Sequence, residues 1–416
     1  MPADLTDVLR RLPDALVAEA AELDRTDPLA HYTGEFVQHA EVTAYLDGNS
    51  LGRPLVRTGE HLRAFVDEEW GGRLIRAWDE KWFDQPLEIG DLLGRTVLGA
   101  APGQVAIGDS TTVMLYKLVR AAVAARPGRC VIVADTENFP TDRYIVDAVA
   151  KEAGLTVRWI SPDPAAGVHL DEVTAALTED TALVLVSHIA YKSAYIADLP
   201  AITAAAHDAG ALVLWDLCHS AGAIEIDLDT ADVDLAVGCT YKYLNGGPGA
   251  PAFGYVASRL QDRLEQPITG WMGHADPFSM GPDYQAAPGI RRLISGTPPI
   301  LGMLPVRDML EVIADATMAE VRAKSVRLTE FAVKVADEGL APYGVGVASP
   351  RDPGVRGGHI TIEHERMREV VAELWKRGVI PDFRPPRGLR AGLSPLSTRF
   401  SEVALAFAHV ADVLDG

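Results

Sequence analysis

The stretch Gly238-Cys-Thr-Tyr-Lys-Tyr-Leu-Asn-Gly-Gly-Pro-Gly-Ala250 decides how this chain reads. It puts Lys242 just past the apolar run Asp234-Leu-Ala-Val-Gly238 and ahead of a glycine-rich loop. A lysine is ordinarily a solvated surface charge. Here the strand before it and the loop after it predict a buried, constrained amine, and such an amine can condense with an aldehyde. One strand-and-loop crossover upstream, Ala211-Leu-Val-Leu-Trp-Asp216 presents a carboxylate at the end of another apolar run. Asp216 reads either as a strand-end cap or as an ionised partner for an aromatic ring nitrogen. His219, three residues on, reads as structural or as a hydrogen-bonding neighbour of the same ring.

Outward from this pair, short apolar runs alternate with helical segments: Cys130 to Asp135, Thr156 to Ile160, Ala182 to Ser187, Ala211 to Trp215, Asp234 to Gly238 and Ala252 to Val256. Near-continuous apolar strands separated by helices predict an α/β fold with a mostly parallel sheet covered on both faces. Ligands of such sheets sit beyond the carboxyl ends of the strands, where Asp135, Ser187, Asp216 and Lys242 fall. Residues from about 5 to 30 carry helical periodicity, and Tyr45 to Pro54 is turn-rich. Gly281 to Pro299 reads as a connector. One long helical segment over about 303 to 337, a strand at His359 to Glu363, a helix at Met367 to Arg377 and the segment Arg384 to Arg390 then predict a smaller α+β domain. The division expected is an N-terminal segment (1–75) serving the small domain and the site entrance, a large domain (76–300) and a small C-terminal domain (301–416).

With 416 residues, 48% hydrophobic and 23% charged, the chain can bury a large core. Its net charge of −20 argues against nucleic acid and anionic membrane partners. The three cysteines, Cys130, Cys218 and Cys239, form no CxxC pair, so neither a disulfide framework nor a metal site is expected; each reads as a small buried hydrophobe. The first residues show no signal-peptide pattern, and no apolar run reaches the ~20 residues that span a bilayer. A cytoplasmic protein is the expectation.

Further candidates lie upstream. Gly108-Asp-Ser-Thr-Thr112 precedes a helical run. Hydroxyls and free N–H groups at a helix start suit a phosphate, and equally suit ordinary capping. Phe139 and Asp142 follow the strand ending at Asp135, placed to stack on a ring and to reach its substituents. A phosphate cup, a stacking aromatic, a ring-nitrogen acid and an aldehyde-binding lysine occur in this chain order, each at a predicted strand end. These are the parts that pyridoxal 5′-phosphate chemistry needs, in the order of the fold-type I enzymes that use it.

The chain resembles the bacterial kynureninases along nearly its whole length. The resemblance rests on Tyr45-Leu-Asp-Gly-Asn-Ser-Leu-Gly52, Glu69-Trp-Gly71, Leu74-Ile-Arg-Ala-Trp78, Asn138-Phe-Pro-Thr-Asp142, Tyr191-Lys192, Trp215 to Gly222, Gly238 to Gly249, Gly270-Trp-Met-Gly-His274 and Gly296-Thr-Pro-Pro-Ile300. It implies an aspartate aminotransferase-like fold and hydrolytic Cβ–Cγ cleavage of L-kynurenine to anthranilate and L-alanine in tryptophan breakdown. 3-Hydroxykynurenine, or another ring-substituted kynurenine of secondary metabolism, is the alternative substrate. By the same resemblance Lys242 holds the cofactor, Thr111 and Thr112 bind its phosphate with Tyr241, Phe139 stacks on the ring, and Asp142, Ser187, Asp216 and His219 complete the site. Tyr241 is implied as a proton carrier and Arg390 as the grip on the substrate α-carboxylate, with Asn49 also beside the substrate. Trp271 and Thr297 are implied to come from a neighbouring subunit, making a homodimer with shared sites. Met272 stands where many members have Phe, and Ser397 where an aromatic is expected. Thr297 replaces the Asn common in members selective for 3-hydroxykynurenine and leans toward the unsubstituted substrate.

Overall fold

In the computed structural model, which describes residues 5–416, thirteen strands follow one another. They are β1 (Ala44–Tyr45), β2 (Val105–Gly108), β3 (Val131–Asp135), β4 (Thr156–Ile160), β5 (Thr181–Ser187), β6 (Leu212–Asp216), β7 (Leu235–Cys239), β8 (Ala252–Val256), β9 (Gly346–Val347), β10 (His359–Glu363), β11 (Val379–Ile380), β12 (Asp382–Arg384) and β13 (Gly388–Gly392). Seven form the central sheet in the order β2-β8-β7-β6-β5-β3-β4. β8 runs antiparallel to both of its neighbours, and the other pairings are parallel. β2, β3, β5, β6 and β7 therefore point the same way, and their carboxyl ends share one sheet edge.

Side chains alternate across a strand, and here the alternation divides two cores. Val131, Val133, Val184, Val186, Val213 and Trp215 pack on one face. Ile132, Ala134, Leu183, Leu185, Leu212 and Leu214 pack on the other. Both faces being covered explains why β3, β5, β6 and β7 read as unbroken apolar runs. β4 departs from that expectation: as the edge strand it is half exposed, so only alternate positions need be apolar.

A second core joins the ends of the chain. Val8, Leu12, Leu16 and Ala20 pack with Phe331, Ile360, Ile362, Leu374, Phe400 and Phe407 around the sheet β12-β13-β10-β9. β1 pairs with β11 in parallel. Residues Leu29 to Leu55 are split, since Leu29, Tyr32, Phe36 and Leu55 join the large core whereas Ala44 and Leu46 join the small one. The N-terminal residues 1–4, on which part of the signal-peptide reading rests, lie outside the described residues.

The expected single helix over 303–337 is two helices, Ile300–Ala316 and Met318–Val335. Thr317 separates them at φ 65° and caps the second through its hydroxyl, which accepts from Glu320 N at 3.3 Å. A threonine interior to an apolar pattern gives little sign of such a break; its capping hydroxyl is the signal. The expectation that all three cysteines are buried is corrected at Cys130, which is exposed before β3. Among the described residues no helix is long and apolar enough to cross a membrane.

Candidate active site

The shared edge assembles the site. Lys242 follows β7 in a tight turn that returns Gly246 N to Thr240 O at 2.8 Å and Asn245 N to Lys242 O at 2.9 Å. Gly52 N donates to Tyr241 O at 2.8 Å. A Cβ on Gly52 would overlap the carbonyl oxygen of Lys242, so only glycine lets this strand of backbone pass so close. Three lysines are buried among the described residues: Lys117, Lys242 and Lys324. Lys117 pairs with Asp109 at 2.5 Å and Lys324 with Asp27 at 2.6 Å. Lys242 has no carboxylate partner within ion-pair reach; its Nζ lies 3.2 Å from His219 Nε2. Burial, then the charges of Lys242 and Arg390, holds the His219 imidazole well below its usual range and therefore neutral.

Asp216 closes β6, directly beside β7. Its Oδ1 accepts from Cys218 N at 2.8 Å, and its Oδ2 from Ser187 Oγ at 3.2 Å. The Ser187 hydroxyl also lies 2.7 Å from Asn138 Oδ1. Asp142 is buried in the first turn of the helix Pro140–Ala153. Burial, then the neighbouring Asp216 and Asp135 charges, pushes its carboxyl far above the usual range. Asp142 therefore keeps its proton. Asp135, at the end of β3, is pushed up to about 7 by burial. Burial likewise raises the Tyr241 hydroxyl, with the Cys239 and Cys218 sulfurs adding to it, so that it stays protonated.

Phe139 is part-exposed, with its ring centre 5.8 Å from Lys242 Nζ and edge-on to Tyr191 at 5.5 Å. Thr111 and Thr112 open the helix Thr111–Ala124 after β2. Ser110 caps that helix, accepting from Val113 N at 3.4 Å, so the hydroxyls of Thr111 and Thr112 are not the cap. The helix starts just past the carboxyl end of β2, where first-turn N–H groups lack intrahelical partners.

Arg390, in β13, is buried. Its Nη1 donates to Tyr191 O at 2.7 Å and its Nη2 to Ser50 Oγ at 2.9 Å. Asn49, also buried, is oriented with its amide oxygen accepting from Arg390 Nε at 2.9 Å and its nitrogen donating to Asp47 Oδ1 at 3.3 Å. Asn49 thus meets the arginine. Burial and the Asp382 charge push Asp47 up to about 6.

Two expected residues stand apart. Trp271 is 39% exposed, edge-on to Phe278, and lines a surface cavity with His274 and Tyr284. Thr297 is exposed. Met272 is buried in the core beside Ile290, Leu293 and Ile294, and Ser397 is buried too. Sequence reasoning passed over Asn138, Asp135, Asp47 and Asp382 as site residues. The place of Asp135 at a strand end is its signal in the sequence. Asp382 had none within its own segment.

The parts fit pyridoxal 5′-phosphate. A buried amine free of carboxylates faces a hydrogen-bonded carboxylate on the next strand, an aromatic ring flanks it, and a helix start with spare donors lies at the same edge. Fold and site together define a fold-type I pyridoxal phosphate-dependent enzyme. The sequence model for the Cys/Met metabolism PLP-dependent enzymes matches residues 99–277, and that for the kynureninase C-terminal domain matches residues 321–410. The chain belongs to the kynureninase family. It is 41% identical to the kynureninase of Pseudomonas fluorescens over 94% of each chain, and 42% identical to that of Burkholderia pseudomallei (strain K96243) over 95% of each. Among solved structures it is similar in fold to a cysteine desulfurase from Thermococcus onnurineus NA1, with TM-score 0.77 and 18% identity over 95% of this chain and 98% of that one. The cystine C-S lyase C-DES, in complex with cysteine persulfide, gives TM-score 0.78 at 19% identity over 90% and 98% of the two chains.

Proposed function

We propose that the chain hydrolyses the Cβ–Cγ bond of L-kynurenine, releasing anthranilate and L-alanine. The observation that carries the reading is the buried Lys242 amine, paired with the neutral His219 at 3.2 Å and lacking a carboxylate partner. Membership of the kynureninase family supports the substrate. When bound, the cofactor supplies an electron sink for the bonds broken at the substrate's Cα and Cβ.

The chain's own residues handle protons and orientation. Lys242 would hold the cofactor through its Nζ, and the same amine would take the substrate's Cα proton. His219, uncharged, pairs with that amine without adding a competing cation. Asp216, fixed by Cys218 N and Ser187 Oγ, would hold the proton at the ring nitrogen, with the protonated Asp142 beside it. Thr111 and Thr112 would take the phosphate at the helix start, with Tyr241 beside it, and Phe139 would cover the ring. A water adds to the side-chain ketone, and the aryl acid leaves as Tyr241 Oη donates the proton that Cβ takes. Its pKa, raised by burial, suits Tyr241 to carry that proton in its neutral form. Arg390 holds the α-carboxylate, with Asn49 against its guanidinium.

The proposed assembly is a cytoplasmic homodimer in which Trp271 and Thr297 of a second copy complete the aryl pocket. The exposed apolar side chains Leu74, Ile75, Trp271 and Phe278 support it. The division into 1–75, 76–300 and 301–416 is likewise proposed. Incubation of cofactor-loaded protein with L-kynurenine and its 3-hydroxy and methylated analogues tests the reaction. Anthranilate fluorescence from the unsubstituted substrate is expected; its absence would remove the reading.

A further inference from the structure

Arg390 meets a carboxylate that belongs to the chain itself. Asp382 and Arg390 are directly opposed partners in the antiparallel pair β12–β13. Asp382 Oδ1 accepts from Arg390 Nε at 3.2 Å and its Oδ2 from Nη2 at 2.7 Å. This is a bidentate fork on a guanidinium that is 1% exposed. The same Oδ2 accepts from Arg384 Nη2 at 2.5 Å. A guanidinium has five N–H donors. Asp382 and Asn49 occupy the Nε edge, Asp382 and Ser50 take Nη2, and Tyr191 O takes one donor of Nη1. One Nη1 donor is left. Its direction is set by the plane that the fork fixes, because a planar group held at two atoms of one edge cannot turn. Arg384 Cζ stands 5.7 Å from the Tyr191 ring, which in turn meets Phe139. A cavity of about 530 Å³ lined by Lys192, Thr361, Arg384 and Arg387 opens beside the cluster.

We propose that Asp382 is a positioning residue for substrate recognition: it locks the guanidinium plane of Arg390 so that its free edge presents a donor to the α-carboxylate of an amino acid substrate. Asp382 acts only through Arg390 and touches no reacting atom. The inference rests on the assignment of Arg390 to the substrate carboxylate made above. Without Asp382, Arg390 would keep its charge and lose its orientation, which weakens ligands that bear the carboxylate and leaves those without it untouched.

The test uses cofactor-loaded Asp382→Asn and titrates the visible absorbance of the bound cofactor with L-kynurenine and with kynuramine, the same molecule lacking the α-carboxylate. Kd for L-kynurenine should rise about tenfold or more, the loss of a charge-assisted hydrogen bond, while Kd for kynuramine stays within about twofold. Turnover at saturating L-kynurenine should stay within about threefold of the parent enzyme. Asp382→Glu keeps the charge one methylene further out, so it should show the same split at smaller amplitude; it stands in for the Asn variant should that one not fold. Equal weakening of both ligands, no weakening, or tighter binding of L-kynurenine would each overturn the proposal, the last because it would make Asp382 a competitor of the substrate. The absorbance change is read by stopped flow before the first turnover, so an inactive parent enzyme would refute the proposed reaction while leaving this split measurable.

Discussion

The Lys242 amine lies 3.2 Å from His219 Nε2, with no carboxylate in ion-pair reach. Its buried counterparts Lys117 and Lys324 are each tied to an aspartate. A buried lysine bound to a carboxylate is held as a structural cation. Lys242 has only the neutral imidazole of His219 as its polar partner. His219→Phe should therefore cost Lys242 its polar partner at about 1–3 kcal/mol. That corresponds to a fall of about fivefold to 150-fold in kcat. Stopped-flow turnover with cofactor-saturated variant checks this, and an unchanged kcat would leave His219 without a part in the chemistry.

Tyr241 keeps its proton because it is buried next to sulfur and carboxylate groups. Tyr241→Phe removes the donor while preserving the ring. A general acid contributes about 10²–10⁴-fold, so kcat should fall in that range while the absorbance titration with L-kynurenine changes little. Equal losses in binding and turnover would point instead to a role in holding the cofactor phosphate.

Gly52 is where the N-terminal segment touches the turn that carries Lys242. Gly52→Ala must push one backbone against the other, an overpacking cost of about 1–3 kcal/mol. A lower melting temperature and weaker cofactor retention on dialysis are expected together. A fall in melting temperature alone would mean that the turn yields without moving Lys242.

Asp135 titrates at about 7 in the fold because burial disfavours its charge, against an ordinary value of 3.8. The folded chain therefore binds this proton more tightly than the unfolded one. Its contribution is most favourable below about pH 4, is lost as pH rises toward about 7, and is flat above. The full penalty is on the order of 4 kcal/mol. Asp135→Asn removes it, so the melting temperature of the variant relative to the parent should climb between pH 5 and pH 8. A difference independent of pH would show that Asp135 is not the titrating group.

The strand ends were legible because parallel strands covered on both faces must be apolar throughout and stop at the first polar residue. Asp135, Ser187 and Asp216 mark those stops, and Thr240 follows the end of β7. The residues that chain order could not reveal are those brought in by long-range pairing. Gly52 reaches the Lys242 turn from the far N-terminus, and Asp382 meets Arg390 only through the register of β12 and β13. The break at Thr317 escaped because both flanking helices keep their apolar faces across it. Trp271 and Thr297, whose expected role depends on a second copy of the chain, are both exposed within one.

The central claim is that Lys242 both holds the cofactor and moves the Cα proton of kynurenine. Anthranilate release from L-kynurenine, followed by fluorescence for the parent enzyme and for Lys242→Ala side by side, tests it most directly. The account predicts steady release by the parent enzyme and none above background by the variant, which should also lose the visible absorbance band of the lysine-bound cofactor. Near-parental release by Lys242→Ala would contradict it.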